Sequence, residues 1–407
     1  MLIGIDDTDS LRGMCTTYLA KKIRDELEIQ DYPKLVRLNP NIPYKTRGNG
    51  AIALRTNEDA EKVKDVVIKL VRKFSMVDDI RTNPGVVFVD EPENNKKILD
   101  LFYRKVVSEI VSIKEAENVA RRVNADVFRL NNGRGIVGAL AALGFTKGGG
   151  TYELISYRAK KNYGKKRQID QDSVFSMNEK FYPNVFDSVD EGVKRVLIAP
   201  RGMDPVFCGI RGCSPKYVMA AWDMVRPLEE IESVVVFETN QATDDHLRRK
   251  KISQIKSYDC VMVEGAVGSK PIIGEGGHVV FTLSDLTGNI DCAAYQQTGD
   301  FRKVVFNLLP GDAVVVCGGI GKYVKTINLE KLYVKSLVDA TEIVVPNCCG
   351  RKMTSAGKNK GVKCRKCGKK ISQMEIKSQK IVRTIKKGWY EVPPRARRHL
   401  SRPLALV

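Results

Sequence analysis

Three carboxylates crowd one short stretch near the start of the chain: Asp6, Asp7 and Asp9 in MLIGIDDTDSLRGMCTTYLA. They repel one another unless something neutralises them. Two readings compete. In one, the Asp side chains satisfy N–H groups of a turn and a helix start. In the other, one or two of them hold Mg²⁺ together with substrate phosphates, as phosphoryl-transfer sites do. Cations able to neutralise a triphosphate lie at Arg12 in the same loop and at Lys45 and Arg47 in PYKTRGNG, which also carries Asn49. Thr16 falls near a predicted helix N-terminus, where backbone N–H groups favour phosphate. Its hydroxyl is therefore a candidate to contact a nucleotide or to accept a phosphoryl group. The chain has no G-x-x-x-x-G-K-[ST] and no kinase glycine-rich loop with its Lys and HRD partners, which argues against both of those scaffolds.

A second constellation sits in PNCCGRKMTSAGKNKGVKCRKCGKKI. Cys364-x-x-Cys367-Gly has the form of a zinc-ribbon knuckle, and Cys348-Cys349-Gly350 stands where its partner belongs. Adjacent cysteines are irregular there. Either both thiolates reach Zn²⁺ through a distorted turn, or one is displaced by another ligand such as His399. Lysines between the knuckles, among them Lys363 and Lys366, predict a phosphate clamp. Beyond them Trp389, Tyr390, Arg395, Arg397 and Arg398 combine stacking surface with charge, as RNA contacts do; a disordered basic terminus is the competing reading. The six other cysteines read as buried small hydrophobes.

The elements that must position these groups fall into four regions. Strands alternate with amphipathic helices up to about Val127, which predicts an α/β or α+β unit with the acidic and basic loops at its strand ends. Next, VFRLNNGRGIVGALAALG holds G-x-G-x-x-G at Gly133, Gly135 and Gly138. That is a dinucleotide fingerprint or, more plainly, a turn that lets a helix start close to a backbone or a phosphate. The strands and helices that follow fit a ferredoxin-like unit. Five short strands, VMVEGAVG, GGHVVFTLSD, GNIDCAAYQ, DAVVVCGGIG and TINLEKLYVKSLV, have one helical stretch between the third and fourth. They predict an OB-fold, a barrel that commonly binds single-stranded nucleic acid.

The charge distribution points the same way. Of a formal net charge of +20, the segment from Cys348 to Val407 carries +16, from 18 Lys and Arg against two acids. A polyanion is the expected partner, and nucleic acid the leading one. The apolar stretches are too short to span a bilayer, and the chain opens on a strand rather than a signal peptide. Cysteines grouped as a metal site predict a reducing, cytoplasmic setting.

Taken in order, GIDDTDSLRGMCTTYLA, RLNPNIPYKTRGNGA, NGRGIVGALAALG, TYELISYR, RGMDPVFCGIRG and FETNQATDDH closely resemble the archaeal tRNA(Ile) 2-agmatinylcytidine synthetase family over almost the whole chain. The resemblance implies a multidomain α+β architecture. Its parts are a kinase-like ATP-binding α/β domain (1–126), a ferredoxin-like α+β domain (127–253), an OB-fold β-barrel (254–341) and a zinc ribbon with a basic tail (342–407). It implies a ligase that uses ATP to phosphorylate the carbon-2 oxygen of the wobble cytidine in an isoleucine tRNA with a CAU anticodon. Agmatine then displaces the phosphate, so that AUA codons are read. By the same resemblance Asp6, Asp7 and Asp9 handle Mg²⁺ and phosphate, and Thr16 is the residue that becomes phosphorylated. For agmatine, an acid beside an aromatic suits a guanidinium, which makes Asp204 and Phe207 candidates, although a plain turn serves that segment equally. His246 receives no role. Two rivals explain less. A non-catalytic OB-fold and ribbon protein leaves DDTD beside KTRGNG unexplained, and a dinucleotide oxidoreductase leaves the basic tail unexplained.

Overall fold

In the computed structural model the described residues are all of 1–407 except 47, 91, 146–149, 358–359, 373–374 and 376–377. Arg47 therefore lies outside them. The apolar run Leu2–Asp6 forms β1, and Thr16–Glu26 forms α1. They are followed by β2 (Lys34–Arg37), β3 (Gly50–Arg55), α2 (Ala60–Phe74) and β4 (Gly85–Val89). These strands pair antiparallel in the order β4-β1-β3-β2, a split βαββαβ arrangement. Helix α2 shows why its sequence is helical: Asp59 caps it by accepting from the Lys62 N–H at 2.9 Å, and Val63, Val67, Leu70 and Val71 form its buried stripe. Helices α3 (Pro92–Val106) and α4 (Ile113–Arg122), strand β5 (Asp126–Arg129) and helix α5 (Ile136–Leu143) follow. Strand β5 extends the sheet at β4, and α5 packs against the face opposite α1 and α2.

A second unit repeats the plan. It consists of β6 (Thr151–Arg158), α6 (Gln171–Phe181), β7 (Val185–Phe186), a small hairpin of β8 (Val189–Asp190) and β9 (Arg195–Val196), β10 (Val206–Gly212), α7 (Pro215–Trp222) and β11 (Ile231–Thr239). Its sheet order is β11-β6-β10-β7, the ferredoxin-like order that the sequence predicts. The two units join edge to edge. Strand β2 pairs in parallel with β11, Lys34 opposite Glu238 and Leu35 opposite Thr239, so nine strands form one continuous sheet. That junction builds the floor of the site.

The third region contains β12 (Arg248–Arg249), β13 (Cys260–Val267), β14 (Ile272–Ile273), β15 (Val279–Asp285), β16 (Gly288–Ala294), α8 (Phe301–Phe306), β17 (Ala313–Ile320) and β18 (Thr326–Ser336). Five of these close on themselves, in the order β13-β17-β18-β16-β15 and back to β13. The barrel strands sit where the alternation predicts, with α8 between the third and fourth. Val261, Val263, Phe281, Val314, Val316 and Leu332 fill the interior. The ribbon is made of short strands β19 (Ala340–Ile343), β20 (Asn347–Cys348), β21 (Arg351–Lys352), β22 (Thr354–Ser355), β23 (Val362–Lys363), β24 (Lys370–Ile371) and β25 (Ser378–Ile381). The chain then returns as β26 (Gly388–Glu391), which pairs with β18 and lays the last residues across the molecule. Among the described residues no helix is long and apolar enough to cross a membrane.

Candidate active site and zinc centre

A cavity of about 400 Å³ opens where the two sheet units meet. Asp6, Asp7 and Asp9 line it from the end of β1, as do Cys15, Thr16 and Thr17 from the start of α1. Burial, then repulsion from Asp7, pushes the Asp6 carboxyl well above its ordinary range; burial pushes Asp7 up to about 7. Asp7 takes the left-handed conformation, φ +60°, and its N–H donates to Asp6 Oδ1 at 2.8 Å, which closes the turn. The Thr46 hydroxyl donates to Asp9 Oδ1 at 3.1 Å, pinning the PYKTRGNG loop to the acidic loop. Thr16 is the first residue of α1. Its hydroxyl accepts from Thr8 Oγ1 at 3.0 Å, and the N-cap, Cys15, makes no side-chain cap bond. An uncapped helix start beside the carboxylates is an anion-favouring end set against an anion-repelling loop. A polyphosphate with its cation satisfies both.

The glycines of the G-x-G-x-x-G serve close packing. A Cβ on Gly138 would stand 1.9 Å from Asp6 Oδ2, and one on Gly135 would stand 2.4 Å from the Gly85 nitrogen. Helix α5 thus starts hard against β1 and β4, which fixes the backbone that carries the acidic loop. Arg134, inside that turn, points its guanidinium over the Tyr44 ring at 3.7 Å from the centroid and lines the cleft near Asp7.

Opposite the acids lies a buried polar chain built across the sheet junction. Arg37 of β2 and Arg211 of β10 flank Glu153 of β6 at 3.2 and 3.5 Å. Burial opposes ionisation of Glu153, but Arg37, Arg211 and a hydrogen bond from Gln241 hold its carboxyl below the usual range. Gln241, just beyond β11, donates through Nε2 to Glu153 at 2.6 Å, and its Oε1 lies 2.9 Å from His399 Nδ1. His399 arrives from the far C-terminal segment.

Several sequence expectations are corrected. His399 is in this cleft, so it is no zinc ligand; the four thiols of Cys348, Cys349, Cys364 and Cys367 lie within 4.8 Å of one another without it. The adjacent pair reaches one point because Cys349 and Gly350 both adopt left-handed conformations, φ +50° and +76°. Soft thiolates in this number suit Zn²⁺. Phe207 is fully buried in the core, edge-on to Trp222, and does not reach the cleft; Asp204 lines the cleft and is paired with Arg167 at 3.1 Å. Arg395, Arg397 and Arg398, expected on RNA, tie the molecule together. They pair with Asp190 at 2.7 Å, with Asp187 and Glu391, and with Glu330 at 3.0 Å, respectively. Buried carboxylates capture them from solvent. His246, given no role, is buried against Glu330 at 3.0 Å.

Lys45 and Asn49 line the cleft, whereas Arg12 is exposed on the acidic loop outside it. Lys363 and Lys366 are exposed on the ribbon, as a phosphate clamp requires. The sequence reading missed Arg37, Arg134, Glu153, Arg211 and Gln241. The one available signal was Glu153, a lone acid inside the otherwise apolar strand TYELISY.

Comparison with known proteins agrees with this fold. Residues 2–132 match the TiaS TCKD domain, 133–246 the TiaS FLD domain, 261–336 an OB-fold nucleic acid binding domain, and 345–385 the TiaS C-terminal zinc ribbon domain. A tRNA(Ile) 2-agmatinylcytidine synthetase, TiaS, of Pyrococcus horikoshii is 48% identical over 99% of this chain and 96% of its own length. One from Methanocaldococcus jannaschii is 41% identical over 100% and 99%. Among solved structures, a complex of TiaS with its isoleucine tRNA and ATP superposes with a TM-score of 0.91 at 41% identity, covering 100% of this chain and 97% of that one. A complex of TiaS with the same tRNA, AMPCPP and agmatine does so with 0.87 at 37% identity and the same coverage.

Proposed function

The chain belongs to the tRNA(Ile) 2-agmatinylcytidine synthetase family, and we propose that the cleft at the sheet junction carries out that family's chemistry on the wobble cytidine. The activity is a ligation that joins agmatine to carbon 2 of this cytidine in the isoleucine tRNA, with ATP and one water consumed to AMP and two phosphates, one of which carries away the carbon-2 oxygen. The oxygen on that carbon is a poor leaving group; once phosphorylated it departs as phosphate, and a primary amine takes its place. A purely binding protein has no use for a cleft that sets three carboxylates against an uncapped helix start.

That opposition is the observation that carries the residue assignment. One or two of Asp6, Asp7 and Asp9 would hold Mg²⁺, which supplies charge neutralisation on the transferring phosphoryl group when bound. The three carboxylates do not converge as the four thiols do, which fits a cation shared with phosphate oxygens better than an all-protein cage. The α1 amides and Lys45 attract the polyphosphate, and Thr16 accepts a phosphoryl group at the helix start. Asp204 would face the agmatine guanidinium. The target base must leave the anticodon stack to enter the cleft. Residues 1–126 and 127–253 would perform the chemistry, with 254–341 and 342–407 gripping the tRNA, in the cytoplasm where that substrate is found.

The test is direct. The protein is incubated with ATP, agmatine and an isoleucine tRNA transcript bearing a CAU anticodon, and nucleosides are analysed by mass. A heavier wobble cytidine with release of AMP is expected. An unchanged cytidine with all three substrates present would overturn the reading.

A further inference from the structure

His399 has a tautomer that its surroundings dictate. Glu153 is ionised between two arginines and can only accept, so the Gln241 amide must turn its NH₂ toward Glu153, at 2.6 Å. The Gln241 carbonyl then faces His399 Nδ1 at 2.9 Å, and Nδ1 must donate. The remaining nitrogen, Nε2, is left with a lone pair on the cleft side, where a side chain at Gly48 would begin 3.4 Å from it. Burial, then Arg37, Arg211 and Lys45, hold this imidazole well below its ordinary pKa, so it stays neutral and Nε2 stays an acceptor.

We propose, resting on the activity above, that His399 Nε2 accepts a hydrogen bond from the 4-amino group of the target cytosine and so selects cytidine over uridine. Three cations, Arg37, Arg211 and Lys45, surround His399. They disfavour either cationic end of agmatine there but tolerate a neutral amine donor. Cytosine presents such a donor at C4, whereas uracil presents an oxygen whose lone pairs oppose Nε2. The placement also suits the chemistry. Thr46 contacts Asp9, and a Cβ on Gly48 would stand 3.4 Å from His399 Nε2, so the acidic loop and His399 lie beside positions two residues apart, a span of at most ~7 Å along the chain. A base with its 4-amino group on His399 turns the other end of the same edge, its carbon-2 oxygen, toward the acids.

Transcripts carrying cytidine, uridine or 2-pyrimidinone, which lacks the amino group, at the wobble position test this. For wild type, loss of the amino group should lower kcat/KM about 100-fold. His399→Ala should lose about as much on cytidine. It should lose no more than about threefold further on 2-pyrimidinone, and its preference for cytidine over uridine should shrink at least tenfold. A purely structural histidine predicts the opposite, two losses that multiply and an unchanged preference; that result overturns the proposal, as does a wild type indifferent to the amino group. If circular dichroism shows His399→Ala unfolded, His399→Gln takes its place. Its amide can turn either an acceptor or a donor to the base, so it should admit uridine, and continued strict rejection overturns the proposal. Wild-type inactivity on the cytidine transcript would overturn the activity itself along with this inference.

Discussion

At the scale of single residues the site is organised by opposed charge. Asp6 and Asp7 are held above their ordinary range by burial and repulsion, and the α1 start beside them has no side-chain cap. Thr16 stands between the two. Thr16→Ala should abolish labelling of the protein by γ-labelled ATP and lower tRNA modification at least ~10³-fold, while Thr16→Ser retains both. Labelling that persists in the alanine variant would move the phosphoacceptor elsewhere. Glu153 makes a second prediction. Its carboxyl is depressed below 4.5, so the stability it contributes is fully present above that value and is lost as pH falls through the depressed one. Glu153→Gln strands Arg37 and Arg211 and should destabilise the protein by about 3–5 kcal/mol at pH 7. Denaturant titrations should also show a flatter acid limb in the variant; an unchanged limb would refute the assignment. The acidic loop was legible in the sequence because its charges are adjacent. The Glu153–Gln241–His399 chain was not, since its members come from inside β6, from the loop just beyond β11 and from a basic terminal segment that reads as a nucleic-acid contact.

At the scale of elements, close approach of backbone does the positioning. Helix α5 begins where only glycine fits, with Gly138 against Asp6 and Gly4 of β1 against the Ala139 carbonyl. Gly138→Ala brings a methyl to 1.9 Å from Asp6 Oδ2, so helix or carboxylate must move. A cost of about 1–3 kcal/mol in urea unfolding is expected. A displaced Asp6 should lower phosphoryl transfer by about 100-fold, more than the small stability loss explains. Equal activity of the variant and wild type would show that Asp6 does not need its observed position. Local pattern made much of this architecture readable: period-two alternation marked the barrel strands, and Gly-rich turns marked their ends. The pairing of β2 with β11 left no such trace. The paired residues are about two hundred positions apart, and edge strands that meet in this way carry only ordinary strand composition. The cleft that depends on this pairing was unreadable for the same reason.

At the scale of the whole molecule, the C-terminal positive charge has two uses that the sequence blends into one. The ribbon leaves Lys363 and Lys366 exposed around the four thiols. The last residues are stitched to all three other regions: Arg395 to Asp190, Arg398 to Glu330 and Asn41, and the Ala242 N–H donates to the His399 carbonyl at 2.9 Å. Removing zinc and removing residues 393–407 should therefore fail differently. A chelator releases the thiolates and unfolds the small ribbon, whose buried apolar core is Met353, Val362 and Cys364. Binding to tRNA should weaken about tenfold, while labelling by ATP in the absence of tRNA continues. Changing Lys363 and Lys366 to alanine should lower the slope of log K against log salt by about 2, one for each lost phosphate contact. Deleting 393–407 leaves the zinc site untouched but strips Asp190, Asp187 and Glu330 of their C-terminal arginine partners and withdraws His399 from the cleft. That deletion should lower the melting temperature of the catalytic half and abolish cytidine modification even at low salt, where tRNA still binds. If chelation and deletion instead produced the same salt-reversible defect, the terminal segment would be a second tRNA grip and not part of the site.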